Sequence, residues 1–202
     1  MNTRSSARVL STSLACVAVA CAIACGTSGP VGPVVHEHHS VERGAATSAR
    51  IELGMAAGEL EVKSGAKTLF EGNFDFNVPV LKPEIAYAVD GTTGTLKVSQ
   101  GSASGNYENS WRLSIDETTP VDLHLTLGAG DAELVLGRVN LQSLAIRLGA
   151  GDLVLDLRGM PAKSYNLEKR DGRWINPRAE ASPVTIDLQV QHAIGDLKIV
   201  AE

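Results

Sequence analysis

The pentapeptide Leu-Gly-Ala-Gly-Asp occurs twice, at residues 127–131 and 148–152, and each copy runs into a short aliphatic stretch. An interval of 21 residues is too short for a duplicated domain. It suits one coil made of two short strands and their turns, laid down again on itself. A looser form of the unit, a glycine followed by alternating aliphatic residues, starts at Gly58, Gly94, Gly130, Gly151 and Gly195. The glycines are separated by 36, 36, 21 and 44 residues, so some coils carry an insertion. Gly accepts positive φ without a steric penalty, and Asp stabilises tight turns by bonding nearby backbone N–H groups. The Gly-Asp pairs at 130–131, 151–152 and 195–196 are therefore expected to be corners that precede a strand.

Between the corners the pattern is period 2. Val121, Leu123, Leu125 and Leu127 alternate with Asp122, His124 and Thr126. The same alternation recurs in Leu144-Ile146-Leu148, in Leu153-Leu155-Leu157 and in Val184-Ile186-Leu188-Val190. Each run reads as a strand with one face buried and one wet, and no helical periodicity is apparent after the N-terminal segment. Only 4% of residues are aromatic, while Gly numbers 20, as in repetitive β proteins with small aliphatic cores.

The stretch LGAGDAELVLGRVNLQSLAIRLGAGDLVLDL, together with ELGMAAGELEV at 52–62 and Lys82-Pro83-Glu84-Ile85-Ala86-Tyr87, resembles the toast-rack domains of bacterial envelope proteins. The resemblance extends from about Arg43 to Val200. It implies an all-β, solenoid-like stack of short strands. Related domains occur on membrane proteins of the cell-wall-antibiotic response and on lipoproteins of unknown role. The resemblance brings no catalytic residues with it.

The N-terminus speaks to location. Arg4 and Arg8 precede an uncharged apolar run from Val9 to Ala24, which ends in Ala22-Ile23-Ala24-Cys25-Gly26. That ending resembles the lipobox of bacterial lipoproteins, in which the cysteine is lipidated and becomes the mature N-terminus. Residues 1–25 are thus expected to be a lipoprotein signal with Cys25 as the attachment site, and the partner they imply is a lipid bilayer on an extracytoplasmic face of the envelope. All three cysteines lie in this segment, so if Cys25 is lipidated the mature domain has no free thiol and no thiol chemistry. Without Arg4 and Arg8 the chain carries 16 basic and 23 acidic residues, a net charge of −7. That balance excludes nucleic acid as a partner, because phosphate binding needs a basic face.

Residues 26–44, with Gly29-Pro30 and Gly32-Pro33, read as a flexible tether. The tract His36-Glu37-His38-His39 within it reads either as a weak metal-binding tract, since imidazole is a common ligand, or as a flexible polar linker. The linker is preferred because the tract lacks the fixed spacing of a structural zinc site. The domain is expected to occupy residues 45–202.

Catalytic signatures are missing: the mature chain has no G-x-S-x-G, H-E-x-x-H, phosphate-binding loop or dinucleotide-binding glycine motif. Asp131, Asp152 and Glu133 could supply paired carboxylates, but acidic residues on wet strand faces are expected for solubility alone. Calcium is disfavoured because the Gly-Asp interval differs from the nonapeptide calcium repeat. The polar excursion at 162–183 accounts for the longest gap and contains Tyr165, Arg170, Arg173 and Trp174. Aromatic and Arg side chains on a loop from a rigid scaffold suit recognition, while the Asp171-Gly172 pair would also suit a simple hairpin. The reading that emerges is a non-catalytic, lipid-anchored envelope module without cofactor or metal, acting on an envelope protein partner. The alternative is a domain that binds an envelope ligand such as glycan or calcium.

Overall fold

The computed structural model describes residues 30–159, 168–170, 173–175, 190–191 and 194–200. Among them there is no α-helix, and the one helical turn is 3-10, at Pro79–Leu81. The strands in chain order are β1 (Val35–Val41), β2 (Ser48–Ala57), β3 (Glu59–Ser64), β4 (Phe70–Phe76), β5 (Glu84–Asp90), β6 (Thr93–Ser99) and β7 (Asn109–Ile115). They continue with β8 (Val121–Ala129), β9 (Ala132–Val135), β10 (Leu141–Ala150), β11 (Leu153–Asp156), β12 (Glu168–Arg170), β13 (Arg173–Ile175), β14 (Val190–Gln191) and β15 (Leu197–Val200).

Two sheets enclose the core. One has seven strands in the order β1-β4-β7-β3-β9-β11-β15, the other six in the order β14-β10-β8-β2-β6-β5. The β2–β3, β8–β9 and β10–β11 segments each cross from the six-stranded sheet to the seven-stranded one through a single corner. Each lies parallel to its neighbour in both sheets, with one shift of register where β10 passes from Leu141 to Ser143. β6 and β7 form a further parallel pair of layers against β2 and β3, and β14 and β15 another against β10 and β11. The chain therefore lays its first rung in the middle of the stack, puts β6–β7 on one side, and then adds rungs on the other.

The expected period-2 core is present. Leu123, Leu125, Leu127, Leu144, Ile146, Leu148, Leu153, Leu155 and Leu157 are all buried, while their neighbours His124, Thr126, Arg147 and Val154 face outward. Removing such aliphatic faces from water stabilises by about 25 cal/mol per Å² of apolar area.

Two expectations need correction. Val35–Val41 is not tether but strand β1, antiparallel to β4 from Val35↔Phe76 to Val41↔Phe70. The sequence concealed it because β1 is an edge strand with little apolar area to bury. The rungs are not uniform, in keeping with the uneven glycine spacing: β1, β4 and β7 pair antiparallel at one side of the larger sheet, as do β5 and β6 in the smaller. Finally, Gly94 is not a corner. It lies within β6 opposite Ala49 of β2, where a Cβ would meet the Tyr87 hydroxyl at 2.2 Å, and Tyr87 in turn donates to the Arg43 carbonyl at 2.7 Å.

Candidate interaction surfaces

The repeated pentapeptide makes sense residue by residue. Leu127 and Leu148 are buried. A Cβ on Gly149 would lie 2.3 Å from the Gly128 carbonyl oxygen, and one on Gly128 would lie 2.4 Å from that of Ala56. The next residues form a ladder: Gly151 N donates to Ile194 O at 2.8 Å, Gly130 N to Ala150 O at 2.8 Å and Gly58 N to Ala129 O at 3.0 Å. Gly130 and Gly151 have φ of 121° and 122°, and a Cβ on either would strike the carbonyl of the preceding corner at 1.9 and 2.0 Å. The aspartate closes each unit. Asp131 Oδ1 accepts the N–H of Asp152 at 3.0 Å, and Asp152 Oδ1 accepts that of Asp196 at 2.8 Å. One oxygen of Asp131 and one of Asp152 are thus committed to the next rung, each accepting from an exposed corner N–H.

The ladder ends at Asn109, which sequence reasoning missed. Its Nδ2 donates to the Ala57 carbonyl at 2.5 Å, the place taken in the other rungs by a glycine N–H. Asn109 precedes Ser110, the partner of Glu59, so it occupies the corner position of its own layer. The signal was an asparagine at a strand start where the repeat puts glycine.

Beside this ridge lie two shallow grooves. One, of about 390 Å³, is lined by Glu59, Glu61, Asp131, Glu133 and Asp152 with Arg112 at its side. The other, of about 620 Å³, sits under the 100–108 connection between Asn77, Asn106, Tyr107 and Asn109. The connection is held by Glu108 N donating to Asn77 Oδ1 at 2.8 Å.

The outer face at β1 and β4 carries a charged network. His36 Nδ1 lies 2.6 Å from Asp75 Oδ1, and Arg112 donates to Asp75 Oδ2 at 2.5 Å. His36 and Arg112 together hold the Asp75 carboxyl below the usual carboxylate range. His38 Nδ1 lies 3.0 Å from Asn73 Oδ1. On the opposite face, Glu37 accepts from Lys82 at 2.8 Å and pairs with His39 at 3.0 Å, and both contacts lower its pKa. His39 also packs edge-on against Phe74, with ring centroids 5.8 Å apart.

The predicted recognition excursion is placed only in part. The strands containing Arg170, Arg173 and Trp174 pair antiparallel, with Lys169 opposite Trp174 and Arg170 opposite Arg173, in agreement with the hairpin reading. Tyr165 and Cys25 lie outside the described residues. Among those residues no three His, Cys, Asp or Glu side chains gather where they could hold one metal ion, and no helix is long and apolar enough to cross a membrane.

A sequence model of the family described as the N-terminal domain of toast_rack, DUF2154, matches residues 31–172. No curated protein matches the chain. Among solved structures, a candidate cell adhesion protein from Clostridium sporogenes is similar over 84% of this chain and 100% of its own, with a TM-score of 0.70 at 21% identity. A candidate adhesin from Parabacteroides distasonis covers 83% of this chain and 70% of its own, at a TM-score of 0.31 and 10% identity. The first likeness is one of fold; the second is too distant to bear on the chain.

Proposed function

The chain belongs to the toast-rack N-terminal domain family, and from that membership together with the corner geometry we propose that it is a non-catalytic interaction module of the bacterial cell envelope. In this reading Cys25 carries a lipid that holds the domain at an extracytoplasmic membrane face. The solenoid-like stack serves as a rigid scaffold, and the excursion with Tyr165, Arg170, Arg173 and Trp174 reaches an envelope protein. The observation that supports it best is the use of Asp131 and Asp152 as rung-to-rung hydrogen-bond acceptors. Asp131 and Asp152, two of the carboxylates that could have formed a catalytic pair or a calcium cage, each give one oxygen to the fold. The Clostridium sporogenes protein, named as a candidate cell adhesion protein, is compatible with such a module.

A second reading is an envelope glycan held under the 100–108 connection. It is favoured by the groove there, where Tyr107 and three asparagine amides line the wall, the mixture of ring and amide groups that suits a polar ligand. A pull-down from envelope extracts tests both, using the wild type, a variant lacking 162–183 and Tyr107→Ala. Capture of one protein, lost with the excursion, supports the module. Retention on glycan lost in Tyr107→Ala supports the second reading, and turnover of an envelope substrate contradicts both.

A further inference from the structure

We propose that His36 and His38 form a two-histidine chelate for a divalent transition-metal ion of the copper, nickel and zinc group. The two residues are i and i+2 on β1, so both project from one face of the strand. They stand opposite Asp75 and Asn73 of β4 in the strand register, and each ring bonds its register partner through Nδ1.

The two acceptors fix the tautomer. A carboxylate has no proton to give, and Asn73 contributes its amide oxygen, so Nδ1 carries the hydrogen in both rings. That leaves the lone pair on Nε2 of both, the form in which imidazole ligates a metal. The Asp75–His36 contact is the outer-shell arrangement that orients metal-bound histidines and raises their basicity. Arg112 in turn holds Asp75 from its other oxygen. The His36 side chain is 74% exposed, and β1 is an edge strand with β4 as its partner, so an ion can approach freely.

The chemistry selects the ion class. Imidazole nitrogen suits copper, nickel and zinc, whereas calcium and magnesium require oxygen donors. Two protein ligands leave the other coordination positions to water, so the ion exchanges readily and is not a folding requirement. His39 takes no part, since it lies on the opposite face against Phe74 and Glu37. A flexible histidine tract would not make this distinction. The inference stands independently of the function proposed above.

The test is titration of the untagged full chain, its cysteines alkylated, with nickel chloride, copper sulfate and zinc chloride in separate calorimetric runs. One ion per chain is expected for each metal. Binding should be lost in His36→Ala and in His38→Ala, and kept in His39→Ala and His124→Ala. Asp75→Asn should weaken it by about 10- to 100-fold. Unchanged circular dichroism in the His36 and His38 variants would show that the loss is not misfolding. The proposal is overturned by absence of binding to the wild type, by equal losses in all three β1 histidine variants, or by binding that survives the double variant.

Discussion

Gly130 and Gly72 are both glycines at which a side chain would collide with a neighbour, but the collisions differ. At Gly130 a Cβ would meet the Gly58 carbonyl at 1.9 Å. At Gly72 it would meet the Phe74 ring at 2.5 Å and a methyl of Leu113 at 3.1 Å. The first belongs to the parallel rungs, where backbone stacks directly on backbone. The second belongs to the antiparallel flank of β4 and β7, where side chains separate the strands' surroundings. That flank holds Phe70, Phe74, Phe76 and Trp111, with Phe74 and Trp111 edge-to-face at 5.3 Å. The described cores of β8 to β11 are aliphatic throughout. A rung fixes its spacing by hydrogen bonds between corners and so tolerates little. On the flank the nearest obstacles are side chains, Phe74 and Leu113, rather than backbone.

The largest effect expected from this contrast is at the corners. Gly130→Ala and Gly151→Ala combine positive φ with a backbone overlap, and should cost about 2–6 kcal/mol from strain and overpacking together. Gly72→Ala should cost about 1–3 kcal/mol, because it overlaps side chains rather than backbone and keeps an ordinary φ. Denaturant midpoints measure both, and equal costs would erase the distinction. Truncating the shared core comes next. Leu155→Ala and Ile146→Ala should each lose about 2–5 kcal/mol, read by the same unfolding curves.

A smaller effect is expected at Asp116, where the chain leaves β7 for β8. Its carboxylate accepts from Thr118 and Thr119 backbone N–H groups and hydroxyls, and Thr119 is fully buried. Burial alone would raise its pKa, but these hydrogen bonds outweigh it and hold the group below the ordinary 3.8. A carboxyl depressed in the folded state stabilises fully above its unfolded pKa, and the contribution fades as pH falls through the folded value. Unfolding free energy should therefore drop below about pH 4, and drop less in Asp116→Asn, which is already weaker at pH 7 by about 1–3 kcal/mol. A pH profile identical to the wild type would refute the assignment.

The smallest effect is at Asp152. Asp152→Ala should cost about 0.5–1.5 kcal/mol for one lost hydrogen bond. Millimolar calcium should leave the melting temperature unchanged in both proteins. A site filled to 100 times its dissociation constant would add about 2.7 kcal/mol, so a calcium-dependent rise of several degrees would contradict the architectural role.

What could be read in advance follows the same division. The corners of the rungs were visible because backbone contact demands glycine at fixed places, and the strands between them because their inner faces are uniformly aliphatic. The order of rungs in space was not visible. Parallel pairing leaves no trace of which neighbour comes next, and β2–β3 lies between β6–β7 and β8–β9. Gly94 was misplaced because a glycine packed under Tyr87 and a corner glycine look alike before an alternating strand. β1 was hidden because its inward residues include Glu37 and His39, which find partners in Lys82 and Phe74 rather than burial. Reading that strand as linker also concealed the shared face of His36 and His38. The partner-binding excursion rests on residue types alone, which name a kind of surface and not what it meets.

The most direct test of the account is a scan of stability along β10 and β11, from Leu141 to Asp156, by chemical denaturation of single variants. Alanine is placed at the aliphatic and glycine positions, threonine at the outward ones. The account predicts a two-residue alternation in cost, with Leu144, Ile146, Leu148, Leu153 and Leu155 each losing about 2–5 kcal/mol. Outward positions such as Val154 should stay within about 0.5 kcal/mol, and the corner should add sharp losses at Gly149 and Gly151. A flat profile, a three- to four-residue spacing, or a corner no more sensitive than the wet face would contradict it.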